Sequence, residues 1–274
     1  SHCDTIRYHF GNVIMVEKIC IDQLGRKVSI PDKPIRIVSL VPSITDFLHY
    51  LNFEKEVIGI TKFCIHPDEW FKTKTRIGGT KSLNIEKILA LNPDLIIGNK
   101  EENVENEINE LSNHFPVWMS DVNSFDDAIE MIKKLGHVLN RQNECKSLIH
   151  SIIDSFRNLR NIGQQKSVLY FIWHNPDYVV GSFTFIDSIL NTLGFVNDCK
   201  MNRYPDMNDI SIDSPDYIFL SSEPFPFSNK HIEYFKDKFP NSKVVLVNGE
   251  MFSWYGSYML KLPSYIENEL INKL

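Results

Sequence analysis

The sequence predicts an α/β protein: two lobes with parallel sheets, joined by a single long helix, with a ligand cleft between them. Three observations carry that reading. Short apolar runs alternate with amphipathic stretches along most of the 274 residues, the pattern of parallel strands linked by crossover helices. One strand opening recurs: Asn92-Pro-Asp-Leu-Ile-Ile-Gly-Asn-Lys-Glu101 and Ser214-Pro-Asp-Tyr-Ile-Phe-Leu-Ser-Ser-Glu223 each set Pro-Asp before an apolar run, with a Glu seven residues after the Asp. Between these copies, 124–162 is helical in pattern.

Taken in order, Arg36-Ile-Val-Ser-Leu-Val-Pro-Ser43 reads as a buried strand leading into a helix that ends near Leu51, with Ser43 or Thr45 as its cap. Val57-Ile-Gly-Ile-Thr61 is a second strand. The run 85–91 is a helix closed by Asn92-Pro93, because the residue before a proline is driven out of the helical region. Strands follow at 94–98 and 117–120. Ala128, Ile129, Ile132, Leu135 and Leu139 then share one helix face, and Leu148, Ile152, Phe156 and Leu159 another, with Gly136 and Asn140 the weak points between them. The stretch 143–160 makes a helix of about 18 residues, roughly 27 Å long. The second lobe has strands at 167–173, 216–221 and 243–247, and a helix at 185–193 stopped by Gly194. This divides the chain into an N-terminal extension (1–15), a first lobe (16–141), the linking helix (142–162) and a second lobe (163–274).

Composition narrows the function. With 29 basic against 35 acidic residues the net charge is −6, which lacks the basic face that nucleic acid requires. No run of 18 apolar residues occurs, so no transmembrane helix is expected, and the first residues lack the charged and apolar regions of a signal peptide. Met15 offers an internal start. Five widely spaced cysteines without a CxxC pair argue against a disulfide scaffold and leave at least one thiol unpaired. The enzyme patterns GxSxG, HExxH and GxGxxG are absent, and Gly78-Gly-Thr-Lys81 lacks phosphate-loop spacing and reads as a tight turn.

The segments Asp22-Gln-Leu-Gly-Arg-Lys-Val-Ser-Ile-Pro31, Pro34-Ile-Arg-Ile-Val-Ser-Leu-Val-Pro-Ser43 and Asn84-Ile-Glu-Lys-Ile-Leu-Ala-Leu-Asn-Pro-Asp-Leu-Ile-Ile97, in that order and spacing, resemble the substrate-binding proteins of ABC importers for iron-siderophores, haem and cobalamin. Within that class the pattern is nearest to the periplasmic cobalamin-binding members, and it extends over about residues 20–274. The resemblance implies two Rossmann-like lobes on a helical backbone and no enzymatic activity. It implies no covalent cofactor, and a transported cobalt or iron complex as ligand. It further implies a membrane permease as partner, a monomer, and a periplasmic or membrane-associated location. Glu86 stands where the family docks on permease arginines; Asp209 and Asp213 are poor counterparts in the second lobe. Phe63 stands at an aromatic ligand position, Thr80 replaces a family Trp, and Glu250 matches a buried acidic residue. An intracellular metal- or tetrapyrrole-handling protein or enzyme on the same fold is the alternative.

The residues themselves add candidates at strand ends, where open α/β sheets bind ligands. Cys64 and His66, at i and i+2, share a face if the chain is extended; they are either metal ligands or a buried thiol beside a hydrogen-bonded His. Glu101, Glu102, Glu223 and Glu250 set carboxylates after strands of both lobes, either converging on a cation or donor-rich ligand or capping helices. Trp173, Trp254 and Tyr255 are candidates for lining a flat ligand, and His174 for ligation or a supporting hydrogen bond. Thr80 and Lys81 lie on the tight turn, and Arg203 with Tyr204 either clamps an anionic edge or makes a surface salt bridge.

Overall fold

The computed structural model describes residues 3–212 and 214–274, which divide into two compact units. The first holds the chain up to Asp121 with Asp127–Ile149 and Tyr255–Ser257; the second holds Val122–Asp126, His150–Trp254 and Tyr258–Leu274. Asp213, and residues 1 and 2 of the expected extension, lie outside the described residues.

The first unit opens with an antiparallel sheet that periodicity alone did not reveal: β1 (Cys3–Phe10), β2 (Val13–Ile21) and β3 (Lys27–Pro31), in that spatial order. Residues 3–15 are therefore not a loose extension but half of a hairpin. A Cys3–Cys20 disulfide joins its two strands where these residues face each other in the register. The five cysteines thus resolve into one bridge, not a disulfide scaffold, and three buried free thiols, Cys64, Cys145 and Cys199. Antiparallel strands bring residues distant in sequence directly opposite one another, which cysteine spacing cannot show.

Next come β4 (Ile37–Ser39), α1 (Pro42–Tyr50), β5 (Val57–Ile60), α2 (Asp68–Thr73), β6 (Thr75–Arg76), the small hairpin β7 (Gly78–Gly79) and β8 (Ser82–Leu83), α3 (Ile85–Leu91), β9 (Leu95–Asn99), α4 (Glu105–Ser112) and β10 (Val117–Ser120). The parallel sheet runs β10-β9-β4-β5-β6. Helix α1 starts differently from expectation. Val41 is the N-cap and Pro42 the first helical residue, where a missing N–H costs nothing, while Thr45 lies inside the helix with its hydroxyl 3.0 Å from the Val41 carbonyl.

Helices α5 (Phe125–Val138) and α6 (Gln142–Arg157) follow. Gly136 does not break α5. A Cβ there would lie 3.0 Å from the Cys145 Cβ, so the glycine serves close packing of α6 on α5. That packing keeps the first half of α6 in the first unit, and the division falls inside the helix rather than at its ends. The buried Lys18 of β2 donates to the carbonyls of His137 (3.1 Å) and Val138 (3.3 Å), placing a cation at the C-terminus of α5 where the helix dipole favours it.

The second unit contains β11 (Ser167–Trp173), β12 (Tyr178–Val179), α7 (Phe185–Thr192), β13 (Val196–Asn197), β14 (Tyr217–Ser221), α8 (Ile232–Lys238), β15 (Lys243–Val247), α9 (Gly249–Ser253) and α10 (Leu262–Tyr265). Its main sheet runs β12-β11-β14-β15, and β12 is antiparallel, so this sheet is mixed rather than wholly parallel. Leu169, Phe171, Ile218, Leu220, Phe227 and Phe235 form its apolar centre.

The repeated Pro-Asp now has a physical account. Asp94, just before β9, accepts from the amides of Ile35 and Arg36 at 2.9 Å each, at the start of the neighbouring β4. Asp216, just before β14, accepts from the Ser167 amide at 2.8 Å, at the start of the neighbouring β11. That amide bond, ahead of the Ser167 hydroxyl and Lys166, holds the Asp216 carboxyl below its usual pKa. Asp94→Ala should lower unfolding stability by about 1–3 kcal/mol in chemical denaturation, with the urea slope unchanged. Because the folded-state pKa of Asp216 is depressed, its contribution is complete above the ordinary carboxylate pKa and fades as pH falls through the folded value. Asp216→Asn should therefore flatten the acid limb of the stability–pH curve, and an unaltered limb counts against the assignment.

Candidate functional site

In the first unit the carboxyl ends of the parallel strands are floored by buried polar side chains. Ser39 ends β4, Thr61 follows β5, Asn99 ends β9 and Ser120 ends β10. Burial of such groups is tolerated only when they pair. Asn99 donates to Ser120 Oγ (3.0 Å), and its own Oδ1 accepts from the Glu101 and Glu102 amides, fixing where those two residues leave the strand. Asn103 accepts from the Asn99 amide (2.8 Å) and donates to the Thr80 carbonyl (3.1 Å). One Glu102 oxygen accepts from the buried Tyr255 hydroxyl at 2.8 Å. Burial, then the Glu102 charge, raise the Tyr255 pKa well above its ordinary value, so it stays a donor.

Above this floor stands Phe63, 52% exposed, with the Lys62 ammonium 5.2 Å from its ring centre. Its ring passes so close to Gly79 that a Cβ there would come within 3.1 Å. The β7–β8 hairpin turns through Thr80 and Lys81. At Gly78 (φ 100°) an added Cβ would meet the Ser82 carbonyl at 2.5 Å, so this turn needs its glycine. Lys81 donates to the Glu101 carbonyl.

The Cys64–His66 metal pair does not form as expected. The segment turns instead of extending, with the Cys64 amide bonded to the Thr61 carbonyl, and Cys64 is buried while His66 is half-buried. The Cys64 thiol is fully buried between the Thr45 and Thr61 hydroxyls, 3.1 Å from each, and burial pushes its pKa up to about 11. A protonated, enclosed thiol is a poor metal ligand. Among the described residues no group of three or more His, Cys, Asp or Glu is arranged to hold an ion.

In the second unit the strand ends carry another polar set. Ser221 at the end of β14 accepts from the Tyr170 hydroxyl (3.1 Å). Glu223 Oε1 accepts from Ser253 Oγ (2.7 Å) and from the Trp254 indole N–H (3.1 Å). Glu250 accepts from the Tyr258 hydroxyl. Trp254 is thus a buried prop for Glu223, with Tyr258 against its ring at 4.7 Å, and not an open stacking surface. Tyr255, one residue on, belongs to the first unit. Trp173 remains 39% exposed and Phe183 is 67% exposed.

His174 is held within an ion-paired cluster. Its Nδ1 lies 2.6 Å from Asp177, which also accepts from Lys238 at 3.0 Å, and Phe225, Tyr234 and Phe235 pack around its ring. Arg203 is engaged as well: Nη1 donates to Asn123 Oδ1 (2.7 Å) and to the Phe183 carbonyl, and the guanidinium rests over the Tyr204 ring. These contacts tie the Arg203 guanidinium to the 122–126 segment and to the backbone at Phe183. Glu86 is exposed in the first turn of α3, whose N-cap is Asn84. Asp209 is exposed in a three-residue 3-10 turn, a much shorter support.

Sequence reasoning missed the polar floor and Tyr258. The floor did leave a signal, since Ser39, Thr61, Asn99 and Ser120 are each the polar residue closing an apolar strand. Iodoacetamide at pH 8 should leave Cys64, Cys145 and Cys199 unmodified in the native protein and label all three after unfolding; native labelling of Cys64, read by peptide mass, would contradict its enclosure.

Comparison with known proteins accords with this geometry. Residues 37–245 match the periplasmic binding protein family. An uncharacterized ABC transporter substrate-binding lipoprotein of Bacillus subtilis is 25% identical over 183 residues, 63% of this chain; the chain spans 58% of that relative's length. A vitamin B12-binding protein of Pectobacterium carotovorum is 22% identical over 86% of this chain and 88% of its own. Among solved structures, the periplasmic vitamin B12-binding protein of Vibrio cholerae superposes with a TM-score of 0.73 at 19% identity, covering 89% of this chain and all of that one. The petrobactin-binding protein of Bacillus subtilis superposes at 0.75 with 17% identity, covering 98% of each chain. At these identities the structures establish the shared fold.

Proposed function

The chain belongs to the periplasmic binding protein family, and we propose that it is the substrate-binding component of an ABC importer, capturing a metal-containing chelate outside the cytoplasm and delivering it to a membrane permease. A corrinoid is the first ligand, with an iron-siderophore or haem second; the metal is cargo. The observation that carries this reading is the exposed Phe63 ring above the polar floor of the first unit, at the strand ends where α/β sheets take ligands.

The choice of corrinoid rests on charge. Glu101 and Glu102, oriented by Asn99 as they leave β9, bring carboxylate acceptors to the polar floor of the first unit. A macrocycle fringed with amide donors suits such acceptors, whereas the carboxylates of haem or of many ferric siderophores would be repelled by them. The Cys3–Cys20 disulfide supports an oxidising compartment over the intracellular alternative. Glu86, exposed and acidic in the first turn of a helix, is the permease contact under this reading, and Asp209 the weaker one.

Titration of the purified protein with cyanocobalamin, haemin and a ferric siderophore, followed by tryptophan fluorescence, should give corrinoid quenching at micromolar or tighter affinity. Phe63→Ala should weaken it about tenfold, given what an aromatic contact contributes. Tight haemin binding without a corrinoid response would overturn the ligand assignment. Glu86→Ala should leave the affinity unchanged and reduce uptake in cells dependent on this protein; undiminished uptake would remove Glu86 from the docking surface.

A further inference from the structure

The first fifteen residues hold a dense group of exposed apolar side chains that ligand capture does not use. Phe10 is 66% exposed, Val13 61% and Ile14 59%, with Met15, Tyr8 and Ile6 also in solvent. The β1–β2 register pairs Tyr8 with Met15 and Phe10 with Val13. Cross-strand partners share a face, so these four form one apolar surface at the tip, continued by Ile6, which is paired with Glu17 at its edge. The opposite face carries Arg7 and His9, with Ile14 opposite His9. Strand β3 pairs with β2 only from Glu17 to Ile21, so the end of the hairpin is a two-stranded ribbon extending past the sheet. The Cys3–Cys20 disulfide closes its other end.

Charge and size identify what covers this surface. From Thr5 to Val16 there is no acidic residue, although the whole chain carries −6. A ribbon with apolar and aromatic residues on one face, and the Arg7 cation with the polar His9 on the other, matches the pattern of elements that lie in a membrane interface, apolar face down and the basic group among anionic headgroups. Five part-exposed side chains offer on the order of 400 Å², half of what one partner contributes to a standard protein interface, so a second copy is poorly served by it. A shallow lipid contact needs no larger area.

We infer that the β1–β2 tip is a lipid-surface contact, seating Tyr8, Phe10, Val13 and Met15 in the headgroup region of an anionic leaflet with Arg7 and His9 toward the phosphates. The test is flotation of the full chain with vesicles of phosphatidylethanolamine and phosphatidylglycerol, against pure phosphatidylcholine, at low and high salt. The protein should float with the anionic vesicles, less at high salt. Phe10→Asp with Val13→Asp should cut binding at least tenfold, and Arg7→Glu severalfold. These side chains are exposed, so the variants should keep the disulfide and the thermal midpoint, and cyanocobalamin titration should be unchanged whether or not the corrinoid reading holds. No flotation of the parent protein, or equal flotation of the double variant, overturns the proposal. So does a concentration-dependent dimer in light scattering that the double variant abolishes, with no vesicle binding, because the face would then belong to a second copy.

Discussion

A parallel sheet has no hairpins to set its register, so something other than a turn must align neighbouring strands. In this protein one carboxylate per unit does so. Asp94 precedes β9 and accepts the amides that open β4; Asp216 precedes β14 and accepts the amide that opens β11. Each ties two adjacent strands at their amino ends and satisfies backbone donors that lie just before the ladder. In the first unit the clasp is reciprocal, since the Asp94 amide returns to the Arg36 carbonyl at 2.8 Å. With the amino ends clasped, the register is fixed along the strands, so that Ser39 lies opposite Ile97 and Ser120 opposite Asn99 at the polar floor.

The floor obeys a strict rule of burial. Its side chains are sequestered from water and each finds a partner within a few residues of a strand end. Burial keeps the Cys64 thiol neutral despite the two threonine hydroxyls beside it, which makes it a packing element rather than a reactive one. The carboxylates follow the same economy of partners: Glu102 leans on Tyr255, Glu223 on Ser253 and Trp254, and Glu250 on Tyr258. Hydroxyl and indole donors hold each carboxylate in one orientation.

The elements legible in sequence were those whose pattern is local. Apolar runs at 37–39, 57–60, 95–99, 117–120, 167–173, 217–221 and 243–247 are strands, and both faces of the 125–157 helical region are buried where periodicity placed them. The N-terminal sheet was not legible. Thr5-Ile-Arg-Tyr-His-Phe10 does alternate polar and apolar as a strand should, but its apolar face is exposed at the tip instead of packed on a core, and β1 pairs with residues up to 17 positions on.

By itself, then, the sequence determined the α/β class, the order of the principal strands and helices, and the repeat that marks two related halves, because each depends on residues near one another in the chain. Only the tertiary structure decided what the site residues do. Whether Trp254 is a stacking platform or a prop, and whether the Cys64 thiol is open or enclosed, are set by Glu223 and Thr45, 31 and 19 positions away, and Asn123, which takes the Arg203 guanidinium, is 80 positions away. The Cys3–Cys20 bridge is of the same kind, set by strand register and not by spacing. Side-chain chemistry is a property of the residue, but its role is set by desolvation and by the nearest donor or acceptor, and these arise only when distant segments pack.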